Sequence, residues 1–203
     1  MMRRWFLIGA CVLTVGILIS ARPAAAASDP AAVVTSLGNE ALKLLGNNVD
    51  PNLRIVRFRQ LFSEDFDVPG IARFVLGRYW RVATEPQQQE FVKVFADYIA
   101  LAYSNRLAEY SGETLHVIGS KPAPDGSVVS SEIVRPNGAP PAKVDWRLTQ
   151  HDGTYKISDV VVEGVSMAVT QRSEFASVIQ RNGGQVQGLI TALRQKTEAA
   201  GLR

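Results

Sequence analysis

Residues 143–181 read KVDWRLTQHDGTYKISDVVVEGVSMAVTQRSEFASVIQR, and the fold is decided there. Val144, Trp146 and Leu148 alternate with Asp145, Arg147 and Thr149, the period-two pattern of a half-buried strand. Asp152-Gly153 supplies the positive φ of a tight hairpin. Tyr155 to Val162 then runs back, β-branched and apolar on both faces towards its end, as a central strand does. The strand stops at Gly164, and Ser166 stands at an N-cap position. Met167, Val169 or Thr170, Ser173 or Glu174, Val178 and Ile179 continue at helical spacing. A strand pair that hands over to a helix is therefore the hub.

Working outward, the texture between Glu113 and Glu163 is that of strands. Asp125-Gly126, Asn137-Gly138 and Asp152-Gly153 divide it into four runs, a four-stranded antiparallel meander, with Pro140-Pro141 delaying re-entry after the second turn. Upstream, the spacing predicts a helix from Asp29-Pro30 to Gly46. A second starts at Pro51 and ends at Glu64-Asp65-Phe66-Asp67, and a third runs from Val68 to Leu76, closed by Gly77. Thr84-x-x-Gln87 is a capping box for the longest helix, reaching about Tyr110. Downstream, Asn182-Gly183-Gly184 separates the hub helix from a last amphipathic helix, Val186 to Thr197. Helices, then a sheet, then helices give an α+β fold of two layers, a four-stranded antiparallel sheet packed on helices, and helices apolar over more than one face leave either a cavity or a sealed core between the layers.

Residues 1–27 read as a cleaved secretory signal. Arg3 and Arg4 form its charged start, Phe6 to Ile19 its apolar core, and Ala24 to Ala27 the small-residue cleavage segment. That core is too short for a permanent span. Ile8-Gly9-Ala10-Cys11 loosely resembles a lipobox, but the apolar run continues past Cys11. Residues 28–203, about 176 in number, are one domain, long enough to bury a core without staples. The formal charge of +3 belongs to the signal: taking Arg3, Arg4 and Arg22 from the 22 basic residues leaves 19 against 19 acidic ones. A neutral mature chain gives no ground for nucleic-acid binding. Cys11 is the single cysteine and leaves with the signal, which removes disulfide and thiol chemistry.

Catalytic constellations are weak. Gly164-Val165-Ser166-Met167-Ala168 approximates a nucleophile elbow at a strand-to-helix turn. In α/β-hydrolases the histidine follows the serine, whereas His116 and His151 both precede Ser166, and a meander lacks the parallel sheet that carries the elbow. Ser166 reads as a helix cap. The two histidines have no metal-ligand spacing: His116 is a strand residue and His151 a solvated turn residue. Asp159 and Glu163 offer either two carboxylates near one mouth or, more plainly, an arginine-paired aspartate and a solvated glutamate. Arg73, Arg78 and Arg81 cluster between the third and fourth helices, where they meet either anionic head groups or an acidic partner, or simply form a solvated face.

VDWRL followed by an aromatic and a lysine, DVVVEGVSM-x-x-T, FVLGRYWRVAT, the aromatic-rich helix after it, and RPNGAPP stand in one order and spacing. Together they resemble the periplasmic phospholipid-binding family of MlaC and the toluene-tolerance proteins, over roughly Ala27 to Leu193. The resemblance implies a curved four-stranded sheet clasped by helices, with a cargo held in an apolar cavity between them. It implies exchange with an outer-membrane lipoprotein–porin complex and with an inner-membrane ABC transporter through its substrate-binding subunit, and no cofactor or metal. Positions that match the family's apolar wall are Val75, Leu76, Tyr79, Phe95, Tyr98, Val144, Trp146, Tyr155, Val161 and Val165. Asp159-Val160-Val161-Val162 is more β-branched than in some relatives, and a hopanoid-associated branch makes a polycyclic lipid an alternative cargo.

The physics of such a carrier is undemanding of chemistry. Removing ~30 methylenes from water at ~0.8 kcal/mol each is a gross gain on the order of 20 kcal/mol before association costs. A deep apolar pocket with a wet mouth suffices, and no catalytic group is needed. The rival from another class is a small α+β-barrel enzyme acting on an apolar substrate, which requires a titratable group of shifted pKa inside the pocket. A structural adaptor would instead show a sealed core and an exposed apolar patch. The expectation is a monomeric periplasmic lipid carrier.

Overall fold

Three reversals fold the middle of the chain back on itself, the second of them a seven-residue connection over 135–141. The computed structural model describes residues 29–44, 50–107, 112–151 and 153–200. In it β1 (Thr114–Ala123), β2 (Gly126–Val134), β3 (Ala142–His151) and β4 (Thr154–Val162) form the expected meander, antiparallel throughout. The expected signal segment and the expected ends of the first helix at Gly46 and of the long helix at Tyr110 lie outside the described residues.

A fifth strand, β5 (Val165–Ser166), extends the sheet beyond the expected four, with order β1-β2-β3-β4-β5. The cause is a two-residue turn, Glu163-Gly164, in which both residues have positive φ, 50° and 79°, the geometry that reverses a strand most tightly. A glutamate rarely takes this conformation, which is why the turn escapes a sequence reading. Here Glu163 is held on both sides by Lys143: its N–H donates to the Lys143 carbonyl (2.9 Å) and its carboxylate accepts from the Lys143 N–H (2.6 Å).

Two bulges set which side chains face inward. One falls at Val117/Gly119 in β1. The other lets β4 insert Ser158 between Ile157, opposite Leu148, and Asp159, opposite Arg147. Consequently Trp146 pairs with Val160 while Val161 pairs with Asp145. One extra residue moves everything beyond it to the other face. Val144, Trp146 and Leu148 thus share the inner face with Val160, and Val161 stands with Asp145 on the outer one.

Helices cover the inner face. α1 (Pro30–Leu44) lies on β1 and β2, so close that a Cβ on Gly38 would meet Leu115 Cδ2 at 2.5 Å. α2 (Pro51–Asp65) and α3 (Val68–Leu76) are capped by Asp50 and Asp67, each accepting backbone N–H bonds. Gly77, at φ 58°, ends α3 by donating to the Arg73 carbonyl. The chain then makes a 3-10 turn, Gly77–Arg81, where no regular element is expected from the sequence. In the capping box of α4 (Glu85–Leu107) Thr84 and Gln87 exchange bonds of 3.1 and 3.4 Å. α5 (Met167–Arg181) and α6 (Val186–Ala199) pack on α3 and α4 respectively.

The apolar interior comes in two parts. The larger is built by α3, α4, α5 and α6 around Phe91, Phe95 and Phe175, whose rings meet edge to face at 5.9 and 6.1 Å. The smaller joins α1 and Leu61 of α2 to Val129, Leu148 and Ile157 of the sheet. Phe66, which also bridges in parallel to Ile157, touches both.

Candidate functional site

Between these two parts the packing opens into a cavity of about 230 Å³. Its wall is almost wholly apolar. α1 contributes Leu37 and Ala41, α2 contributes Phe58, Leu61 and Phe62, and Phe66 stands just past the end of α2. Ile71 and Val75 come from α3, and Phe95, Ile99 and Tyr103 from α4. The sheet supplies Trp146, Ser158, Asp159 and Val160, and the first turns of α5 close the ring with Met167, Ala168 and Gln171. The polar side chains are therefore confined to one side, where β4 passes to α5.

Of the ten expected wall positions, Val75, Phe95 and Trp146 line this space. Leu76 and Tyr79 are sealed into the helical core, and Tyr98 packs on its edge against Phe175 at 6.0 Å. Val144 is buried on the inner face without reaching the cavity, and Tyr155 packs on the smaller core. Val161 lies on the outer face because of the Ser158 bulge, leaving Val160 in the place expected for it. Val165 is 54% exposed, because the turn at Glu163-Gly164 carries β5 out to the sheet edge. The α2 stripe Phe58, Leu61, Phe62 has the i, i+3, i+4 spacing of one helix face, and Phe66 follows in extended backbone just past its end. That spacing reveals an apolar face, but not that it borders a void.

Trp146 is held by a short chain of hydrogen bonds. Its Nε1 donates to Ser131 Oγ (2.9 Å), and that hydroxyl donates to the Val144 carbonyl (3.1 Å). Ser131 is 2% exposed and lies diagonal to Trp146 across the β2–β3 pair.

Asp159 ties the sheet to α5. One carboxylate oxygen accepts from the Ala168 N–H (3.0 Å); the other accepts from the Ser166 hydroxyl (2.6 Å) and faces Arg147 Nη1 at 3.3 Å. Ser166 Oγ in turn accepts from the Val169 N–H (3.1 Å), the cap expected of it. Its proton and a lone pair are thus both engaged. His116 lies on β1, at the far side of the sheet from β5, and His151 ends β3 at 3.7 Å from Asp67. Neither stands beside Ser166. Glu163 is exposed and tied to Lys143. No group of three or more histidine, cysteine, aspartate or glutamate residues suited to a metal occurs among the described residues.

Asp65 has its carboxyl pushed above the usual range, chiefly by burial, then by Glu40 and Glu64, with Lys156 opposing. It is not part of the cavity wall. Arg73, Arg78 and Arg81 are exposed, with Arg78 stacked on the Tyr79 ring (4.9 Å) and donating to its hydroxyl (2.9 Å). A fourth cation missed by sequence reasoning, Arg172 of α5, joins them over the Phe74 ring at 5.2 Å. Among the described residues none of the four is in an ion pair with a carboxylate, and no helix is long and apolar enough to cross a membrane.

Comparison with known proteins fits this geometry. The profile of the family described as MlaC protein matches residues 36–195. The chain is 27% identical to the intermembrane phospholipid transport system binding protein MlaC of Haemophilus influenzae, covering 96% of this chain and 93% of that one. It is 29% identical to the toluene tolerance protein ttg2D of Pseudomonas putida, over 86% and 85% of the two chains. A phospholipid-binding protein from Ralstonia solanacearum, solved in complex with a phospholipid, superposes with a TM-score of 0.70 at 26% identity, covering 85% of this chain and 98% of the other.

Proposed function

The chain belongs to the MlaC protein family, and from that premise we propose that it is a periplasmic lipid carrier that holds a phospholipid by its acyl chains. The observation that carries this reading is the apolar cavity between the two cores. Its volume of about 230 Å³ exceeds the ~150 Å³ that accommodates a benzene but falls short of the ~300–1,000 Å³ of pockets for larger ligands. Two acyl chains therefore require the cores to part, with the α1–sheet side moving from the helical side. A wall made from both cores permits that without exposing either one's centre.

In this reading Val75, Phe95, Trp146, Val160 and the α2 phenylalanines hold the chains, and the polar side at Asp159 and Gln171 faces the head group. Arg73, Arg78 and Arg81, joined by Arg172, meet head groups or an acidic partner surface. Residues 1–27 export the chain, and the mature monomer moves lipid between an outer-membrane lipoprotein–porin complex and the substrate-binding subunit of an inner-membrane ABC transporter. The relatives named above are described as binding and transport proteins, and the carrier needs no reaction. A sealed-core adaptor is disfavoured by the cavity itself.

Lipid extracted from protein purified out of its own periplasm tests the proposal. The expected result is glycerophospholipid near one molecule per chain, recaptured from vesicles after delipidation and refolding. Protein that is folded, lipid-free and inert towards vesicles would refute it.

A further inference from the structure

Trp146 is the largest side chain that the sheet presents to the cavity, and its indole orientation is set from outside the cavity. Ser131 is not part of the wall. It is buried, donates to the Val144 carbonyl at 3.1 Å and accepts from the indole at 2.9 Å. Trp146 itself is half-buried, but its N–H meets a hydroxyl that is shielded from water, so this bond fixes which way the ring lies. A ring so fixed limits how much of the space a chain can fill.

We propose that Ser131 is a specificity-determining residue, which sets the length and shape of the acyl chains accepted by pinning the Trp146 indole. The proposal rests on the lipid-carrier reading. Its physical basis is that a fixed apolar wall discriminates chains by single methylenes, whereas a ring free to swing yields space to the longer chain. Val144, whose carbonyl anchors the serine, and Val129, opposite Trp146 in register, keep the accepting hydroxyl in place from both strands.

The test uses the mature chain and vesicles holding an equimolar ladder of phosphatidylglycerols of graded acyl length, with bound species read by native mass spectrometry. Wild type is expected to take a narrow range. Ser131→Ala is expected to admit longer chains, raising the long-to-short ratio by roughly tenfold, the discrimination a methylene commands in a fixed pocket. Ser131→Thr, which keeps the hydroxyl, should restore the wild-type profile. On a Trp146→Phe background, Ser131→Ala should change nothing further, because the ring nitrogen it acts through is gone. The mature chain has only Trp80 and Trp146, Trp5 lying in the signal. A Trp80→Phe protein therefore reports the Trp146 environment alone, and its emission should shift when Ser131 becomes alanine. Should Ser131→Ala fail to fold, Ser131→Val on the same ladder replaces it, filling the space without the donor and acceptor. A chain-length profile unchanged in the folded variant, or changed equally on the Trp146→Phe background, overturns the proposal while leaving the carrier reading intact. No uptake by wild type fails the carrier reading instead.

Discussion

The Ser166 hydroxyl donates to the Asp159 carboxylate at 2.6 Å while accepting the Val169 N–H at 3.1 Å. Strand β4 and the start of α5 are thereby joined through one oxygen.

That junction predicts an order of mutational costs. Asp159→Ala strips a buried acceptor from the Ala168 N–H and the Ser166 hydroxyl together and should cost about 3 kcal/mol. Ser166→Ala loses the cap and one donor to Asp159, about 1–2 kcal/mol. Arg147→Ala should cost about 0–1 kcal/mol, since its side chain is 56% exposed. Urea denaturation of the three variants checks the ranking. A Ser166→Ala protein of wild-type stability that has lost an esterase activity would instead make the serine a nucleophile.

A second prediction separates the two faces of β4. Val160→Trp places a ring in space assigned to cargo, so it should fold with a loss of about 1 kcal/mol and bind much less lipid. Val161→Trp, on the outer face beside Ser166, should cost about 1–3 kcal/mol by overpacking and keep its lipid. Phosphorus per folded chain distinguishes them. Equal loss of lipid in both would show the cavity assignment to be wrong.

The raised carboxyl of Asp65 makes a pH prediction. A group whose native pKa exceeds its unfolded value binds protons more tightly when folded, so its favourable contribution is present below the unfolded value and is lost as pH rises through the native one. At neutral pH the Asp65 charge is therefore unfavourable. Asp65→Asn should be more stable than wild type at pH 7, with the difference shrinking as pH falls towards the ordinary aspartate value of 3.8. Melting curves across that range decide it; an asparagine variant less stable at pH 7 contradicts the burial argument.

The arginine corner makes a prediction about rate. Arg78→Glu should leave cargo bound but slow exchange with anionic vesicles, and the slowing should fade as salt rises because exposed charges are screened. Exchange of a fluorescent lipid at low and high ionic strength measures this. A salt-independent defect would point to the lost Tyr79 contact instead.

Much of this was legible in the residues. Asp125-Gly126, Asn137-Gly138 and Asp152-Gly153 each mark a reversal between strands, and Thr84 with Gln87 is a reciprocal cap, so the meander and the long helix could be read directly. Ser158 could not, because a bulge is specified by tertiary packing and not by any local signal; it alone explains why Val161 was expected in the wall and Val160 stands there. Glu163 hid the fifth strand by taking a conformation usually left to glycine or asparagine. The aromatic stripe of α2 was visible as apolar, but whether a stripe meets side chains or empty space depends on what the rest of the chain fails to fill.

Because the cavity lies at the seam of two apolar clusters, the lipid serves as mortar between them. Any ligand bound only by the folded state raises its stability by mass action. The full carrier should then be the tougher one, and the empty one should loosen first where α1 meets the sheet. Proteases that sample loosened chains would accordingly clear unloaded molecules faster, so that the supply of lipid regulates how much carrier survives.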